Sequence, residues 1–416
     1  MTKKAKNVLA IVCGGGPAPG INSVISAVTM EARKNDWEVL GIYDGFSRLA
    51  KGEKKVISLD YDEVSRIHLT GGCILQMSRF NPTKKEEDLQ RVVDTLTELG
   101  ITHLVTIGGD DTAYSSARVS EYAKQCGRSI NVVHVPKTID NDLPLPEGVP
   151  TFGFETARAL GTMVLENLME DARTTNNRWY LGVAMGRTAG HLALGMGKSA
   201  GAIITIIPEE FKESKIRLQQ IVDLLTCSMV KRYLTGRNYG VAVIAEGVIE
   251  KIATEDIVAL GDVCLDEHGH IRYAELDFGE VLKKAVTQEL AKAGIKITIV
   301  DKEIGYELRC AAPISYDIDY TRSLGYAAVR FLMDNGNAAM ISIQNNQPVP
   351  LYFDDLRDPE TGKTRVRRVN VDSMDYKIAK EFMIRLNEED LADPKMANAF
   401  KMTLADFRNK YSYLVE

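Results

Sequence analysis

Apolar residues in this chain come in short unbroken runs, separated by longer stretches where they recur every three or four positions. The runs NVLAIVC (7–13), EVLGIY (38–43), HLVTIG (103–108) and INVVHV (130–135) have the length and β-branched content of strands buried on both faces. Between them, 20–34 and 84–99 carry helical spacing. This β–α–β rhythm predicts an α/β protein with a doubly wound, parallel sheet.

The segment DNDLPLPEGVPTFG (140–153), rich in proline and glycine, ends the first block. The rhythm then resumes with a helix over 156–172, a strand YLGVA (180–184), a helix over 189–200, a strand AIITII (202–207), a helix near 213–230 and a strand GVAVIAEG (240–247). Two α/β lobes follow. A helix and the strand AAMISI between about 310 and 345 return to the first lobe in this reading, and the charged C-terminal stretch reads as helical.

Composition narrows the class. With 416 residues, 45% hydrophobic, 26% charged and a net charge of -6, the chain reads as ordinary globular protein. No basic block suggests nucleic acid and no apolar run approaches a membrane span. The apolar run after the basic N-terminus leads straight into glycines, so it reads as a first strand rather than a signal peptide. Six scattered cysteines without a C-x-x-C pair suit a reduced, cytoplasmic protein. His268 and His270 in DEHGHI read as a solvated turn rather than a metal site.

Candidate chemistry lies in glycine loops after strands. CGGGPAPGIN (13–22) places Gly14, Gly16 and Gly20 one residue off the dinucleotide spacing, with Asp44 a formal ribose partner. Pro17 and Pro19 stiffen the loop and favour another kind of phosphate site. GMGKSA (195–200) lacks the earlier glycine of a P-loop, because position 192 is leucine; Lys198 then reads as a helix-surface charge. GGDDT (108–112) puts Gly108 and Gly109 at a strand's C-terminal end, where α/β ligands bind, with two carboxylates opening a helix. One aspartate is accounted for by helix N-capping alone. Capping accounts poorly for two adjacent ones beside paired glycines, and one carboxylate here would suit an Mg²⁺ ion bridging phosphate oxygens. PKTIDND (136–142) offers a lysine, a threonine hydroxyl and two aspartates, which suits proton abstraction and stabilisation of a transferring phosphoryl group. Its alternative is a polar turn before prolines.

In order along the chain stand GG-x-A-PG (15–20), GG-x-x-L-x-x-SR (71–79), GGDDT (108–112), PKTIDND (136–142), TFGFETA (151–157) and MGR (185–187). Together they resemble the phosphofructokinase superfamily over about residues 7–310. The resemblance implies two Rossmann-like lobes with the active site in the cleft between them. A donor lobe would comprise 1–150 plus about 310–365, a sugar-phosphate lobe 151–309, and a helical segment 366–416 has no assigned role. It implies Asp140 as general base, supported by Lys137, Thr138 and Asp142, and Asp110 as the Mg²⁺-associated acid. Gly15, Arg79, Gly109, Asp111 and Thr112 would meet the phosphate donor. Thr138, Asp140, Met185, Gly186, Arg187, Glu246, Tyr306 and Arg309 would meet the sugar phosphate. Arg178, nine residues before Arg187, has the spacing of a family arginine that reaches a neighbouring subunit's site, which implies a homodimer or homotetramer.

ATP-using relatives carry glycine at the position of Asp111. A carboxylate there adds bulk and negative charge where the nucleotide's α-phosphate would lie, whereas pyrophosphate is shorter. The implied reaction is reversible transfer from pyrophosphate to fructose 6-phosphate, giving fructose 1,6-bisphosphate and phosphate. Alternatives are an ATP-dependent kinase of the same fold, a dinucleotide-dependent oxidoreductase using the 14–20 loop, and a catalytically silent regulatory subunit. Two departures bear on this. Ser26 and Met30 occupy positions where bacterial ATP enzymes hold effector arginines, which predicts weak nucleotide regulation. Val300 stands where those enzymes place another phosphate-binding arginine, which opens the acceptor pocket to related sugars such as sedoheptulose 7-phosphate.

Overall fold

The strand Val8–Cys13 is buried on both faces. In the computed structural model, which describes residues 7–259 and 276–415, Leu9, Ile11 and Cys13 face one apolar layer while Ala10 and Val12 face another. The first layer includes residues of the helices Ile21–Lys34 and Ser315–Met333; the second includes Leu89, Val92, Val93 and Leu96 of the helix Glu86–Glu98. His268, His270 and Cys264 lie outside the described residues.

The described residues hold eleven strands: β1 (Val8–Cys13), β2 (Glu38–Ile42), β3 (Val56–Ser58), β4 (His103–Gly108), β5 (Asn131–Pro136), β6 (Arg178–Ala184), β7 (Ile204–Ile206), β8 (Gly240–Ala245), β9 (Thr298–Ile304), β10 (Ala339–Gln344) and β11 (Gln347–Tyr352). They form one sheet ordered β11-β10-β5-β4-β1-β2-β3 and a second ordered β7-β8-β6-β9. The chain divides into two compact units, Met1–Ala157 with Tyr306–Arg367, and Arg158–Gly305 with Arg368–Glu416.

In the first unit β1 pairs in parallel with β2 on one side and β4 on the other. The sheet is therefore extended in opposite directions from β1, and the gap between β1 and β4 is its switch point. The four strands read as parallel, β1, β2, β4 and β5, pair so, while β3 and β11, which the sequence reading did not name, add antiparallel edges.

In the second unit every strand pairing among the described residues is parallel. A helix outside the reading above, Phe278–Ala293, buries Phe278, Leu282, Val286 and Leu290 at every fourth position. The helix expected near 213–230 begins later, at Leu218, since 213–217 form no helix. Lys198 is a partly exposed helix charge, as read, and it pairs with Asp375 of the helix Met374–Glu381.

The C-terminal segment is fastened to this unit beside β7. Ile384 N–H donates to Ile203 O at 2.8 Å, and the Arg385 guanidinium reaches both Glu210 oxygens at 2.8 and 3.0 Å and Thr205 O at 2.6 Å. The Glu210 side chain is only 8% exposed. Removing the arginine from such a pair strands a buried carboxylate, so Arg385→Ala is expected to cost about 3–5 kcal/mol in denaturant unfolding. A cost below about 1 kcal/mol, the scale of an exposed pair, would show that other contacts hold the segment.

Candidate active site

The loops after β1, β4 and β5 converge at the C-terminal edge of the first sheet. Main-chain bonds lock them together: Gly14 N–H donates to Ile107 O at 2.9 Å, and Lys137 N–H to Gly108 O at 2.8 Å. Gly15 N–H donates to Ser78 O at 2.9 Å, which draws the Ser78-Arg79 motif to the same place. The buried Thr112 wedges between two of these loops. A Cβ on Gly14 or on Gly108 would come 2.4 Å from its Oγ1, so both positions require glycine.

Beneath β4 and β5 a buried chain of polar groups holds the GGDDT turn. The His134 ring lies 3.0 Å from Gly108 O through Nε2 and 2.8 Å from Thr106 Oγ1 through Nδ1. A carbonyl only accepts, so Nε2 carries the proton and Thr106 donates to Nδ1. Burial pulls His134 down to about 3, and the ring is neutral across ordinary pH.

One cavity of about 270 Å³ opens at this edge, lined by Gly15, Gly16, Arg79, Gly109, Asp110, Asp111, Thr112, Lys137, Thr138, Asp140 and Asp142. All expected donor residues and the proposed base therefore face one space. Phe46, Phe80 and Ser115 also line it. They carry no glycine-loop signature, and sequence reading passed them by.

Lys137 is buried and its Nζ donates to Gly16 O at 2.7 Å, tying the loop after β5 to the loop after β1. Burial pulls its pKa down to about 8, against the opposing pull of Asp140, Asp142 and Asp110; Arg309 lowers it further. Arg309, expected at the sugar phosphate, lies against the first loop: its Nε is 3.4 Å from Pro17 O. A Cβ on Gly16 would fall 1.4 Å from its Nη2. Tyr306 is 72% exposed, with the Arg309 guanidinium 5.5 Å from its ring centre.

The helix Asp110–Gln125 is capped by Gly109, without a side-chain bond. Neither aspartate is therefore the N-cap; both stand in the first turn, where the helix dipole favours negative charge. Asp111 reaches solvent at the cavity mouth, yet the wall strips part of its hydration. That loss, followed by repulsion from Asp110, raises its carboxyl above the usual range. Asn81 Nδ2 stands 3.5 Å from Asp111 Oδ1. Among the described residues no three His, Cys, Asp or Glu side chains gather as a metal cage. An ion held by Asp110 would take its remaining ligands from water and substrate, the habit of Mg²⁺.

The other expected residues belong to the second unit, and of these Met185, Gly186, Arg187 and Glu246 lie at the C-terminal ends of β6 and β8. Met185 N–H donates to Ile304 O at 2.9 Å, Glu246 N–H to Ala184 O at 2.8 Å and Gly247 N–H to Gly186 O at 3.1 Å, so these turns are laced together. Arg187 is exposed and 3.0 Å from Glu250. Burial raises the Glu246 carboxyl, opposed first by the main-chain N–H of Gly186 bonded to it and then by Arg187. Val300 lies half-buried in the edge strand β9. Arg178 begins β6, and Asp171 Oδ2 holds it at 2.8 Å while also accepting from Tyr180 OH at 2.6 Å.

Two further expectations meet a simple structural account. Asp44 is held by Arg48 at 2.9 Å and Lys55 at 3.4 Å, and the Arg48 bond is the main reason its carboxyl sits below the usual range. Ser26 is buried and donates to Val64 O at 2.8 Å.

Glycine loops, cations and carboxylates gathered at the switch point of a doubly wound sheet define an α/β protein of the phosphate-handling class. The phosphofructokinase family profile matches residues 8–332. Pyrophosphate–fructose 6-phosphate 1-phosphotransferase of Thermotoga maritima is 53% identical, over 98% of this chain and 99% of its own. The Naegleria fowleri protein of the same name is 48% identical, over 100% of this chain and 98% of its own. The crystal structure of pyrophosphate-dependent phosphofructokinase from Marinobacter aquaeolei shares the fold, with a TM-score of 0.70 at 18% identity over 91% of this chain and 90% of that one. This chain belongs to the phosphofructokinase family, and its two α/β units are the Rossmann-like lobes of that fold.

Proposed function

We propose that this chain catalyses reversible phosphoryl transfer from pyrophosphate to the 1-hydroxyl of fructose 6-phosphate, giving fructose 1,6-bisphosphate and phosphate. The observation that carries the choice of donor is Asp111, a second carboxylate at the mouth of the donor cavity. The names of the relatives at 53% and 48% identity support the same reaction.

In this reading Asp140 takes the proton of the attacking hydroxyl, with Thr138 and Asp142 supporting its loop. Lys137 and Arg79 offset charge on the donor, and Gly15, Gly109 and Thr112 shape its cradle. Asp110 would hold Mg²⁺, which, when bound, would draw charge from the donor. Met185, Gly186, Arg187, Glu246, Tyr306 and Arg309 take the sugar phosphate. Arg178 serves a neighbouring subunit in a homodimer or homotetramer. No helix among the described residues is long and apolar enough to cross a membrane, and a cytoplasmic setting suits the free cysteines.

The test is a paired initial-rate assay with Mg²⁺, fructose 6-phosphate and either pyrophosphate or ATP, following fructose 1,6-bisphosphate. Turnover with pyrophosphate and not ATP is expected. Turnover with ATP alone would keep the family and overturn the reading of Asp111.

The position of Lys137 also predicts a pH dependence. With its pKa near 8, the lysine is a cation below that pH and neutral above it. Pyrophosphate kcat/KM is expected to fall as pH rises through about 8, and Lys137→Arg to move that limb upward. An unmoved limb would assign it to another group. Stability runs the other way. Between about 8 and the ordinary 10.5 the unfolded chain holds the extra proton, so this lysine adds stability as pH rises through that window.

A further inference from the structure

Arg367 stands outside every motif named above, more than two hundred positions from PKTIDND, yet it is bonded to that loop and its continuation. Its own N–H donates to Asp142 O at 2.7 Å. Its Nε donates to Asn141 O at 3.1 Å, and its Nη2 reaches Asn141 Oδ1. Its Nη1 faces Leu145 O at 3.2 Å, Pro146 O at 3.1 Å and Val149 O at 2.7 Å. One planar fork thus gathers main-chain oxygens from both arms of a turn, which a single ammonium group could not span.

What it gathers is the backbone on either side of the Asp140–Asp142 pair. Asn141, between the two aspartates, has φ +56, the left-handed region that costs a side-chain-bearing residue energy unless its surroundings hold it there. Asn141 Oδ1 also accepts from Thr151 N–H at 2.9 Å, and Thr151 Oγ1 donates to Thr138 O at 2.7 Å. The arms 138–142 and 149–151 are closed into a ring with the arginine across it. The two aspartates point to the cavity, and the fork takes the main chain that carries them.

We propose that Arg367 is a positioning residue for phosphoryl transfer, holding the 138–149 turn so that Asp140 and Asp142 face the donor cavity. The proposal rests on the reading of Asp140 as base. Because the guanidinium acts on the backbone rather than on substrate, its loss is expected in turnover. A displacement of about 1 Å in a reacting group is enough for roughly a 100-fold effect.

The test uses the full-length chain as wild type, Arg367→Lys, Arg367→Ala and Asp140→Ala. Arg367→Ala is expected to speed amide hydrogen exchange in 138–149, and to lower kcat by about 10–100-fold while KM for both substrates stays within about threefold. Arg367→Lys keeps the charge and loses the fork, and is expected to recover only part of kcat. Should Arg367→Ala unfold, Arg367→Lys carries the same comparison. Unchanged exchange would overturn the clamp. Faster exchange with wild-type kcat, or full recovery by lysine, would overturn the positioning role. If Asp140→Ala retained wild-type turnover, the base would be misassigned, while the exchange measurement would still judge the clamp.

Discussion

Asp140→Ala is expected to lower turnover by about 100- to 10,000-fold, the range for loss of a general base, with fructose 6-phosphate KM nearly unchanged. The loop should survive the change, because its shape is set by main-chain and hydroxyl bonds. Asp140 N–H donates to Thr138 Oγ1 at 3.0 Å, and Thr138 O accepts from Thr151. A second signature follows from the neighbour. Asp140 is the largest influence raising the Lys137 pKa, so its removal should let that pKa fall and shift the alkaline limb to lower pH. Wild-type turnover in this variant would remove Asp140 as base.

Asp111→Gly is expected to raise ATP use relative to pyrophosphate on the order of 10–100-fold, since a like charge facing a bound anion costs several kcal/mol. The measured quantity is the ratio of kcat/KM values for the two donors. The fold should tolerate it. The variant removes a charge that lost hydration and Asp110 disfavour in place, and exchanging aspartate for glycine in the helix costs only about 0.3 kcal/mol. Lys137 is best left in place, because its Nζ holds Gly16 O and its removal would loosen the cradle for any donor. If ATP were still ignored, donor choice would lie elsewhere in the cavity wall.

What could be read from the chain divides by position in the sheet. β1, β4, β5 and β8 lie between two neighbours and are buried on both faces, which leaves unbroken apolar runs. β3, β7, β9 and β11 are edges, and of these β7 alone, a fully buried ITI, kept the apolar signal. β3 has three residues, β9 reads TIVDKEI and β11 reads QPVPLY, with two prolines that only an edge accommodates. Charge and proline are what edges need, and they erase the signal by which strands are recognised.

The candidate site divides in the same way. Asp110, Asp111, Lys137 and Asp140 sit in short local motifs at strand ends, which made the motifs visible, while Gly15 and the individual roles came from the family resemblance. Arg367 and Asn81 act through contacts between distant segments, and nothing local marks them. The place of Arg309 against Gly16 depends on a contact of the same non-local kind.

The discontinuous course of the chain has a consequence for synthesis. β5 ends at Pro136, yet its partner β10 begins at Ala339, and the whole 158–305 portion of the second unit leaves the ribosome between them. The nascent first sheet must therefore wait with one side of β5 unpaired, an aggregation-prone state. The second unit is likewise incomplete until Arg385 emerges to reach Glu210. The first sheet thus stays open until β10 has been made, and chaperones that shield open strands are expected to raise the yield of folded protein.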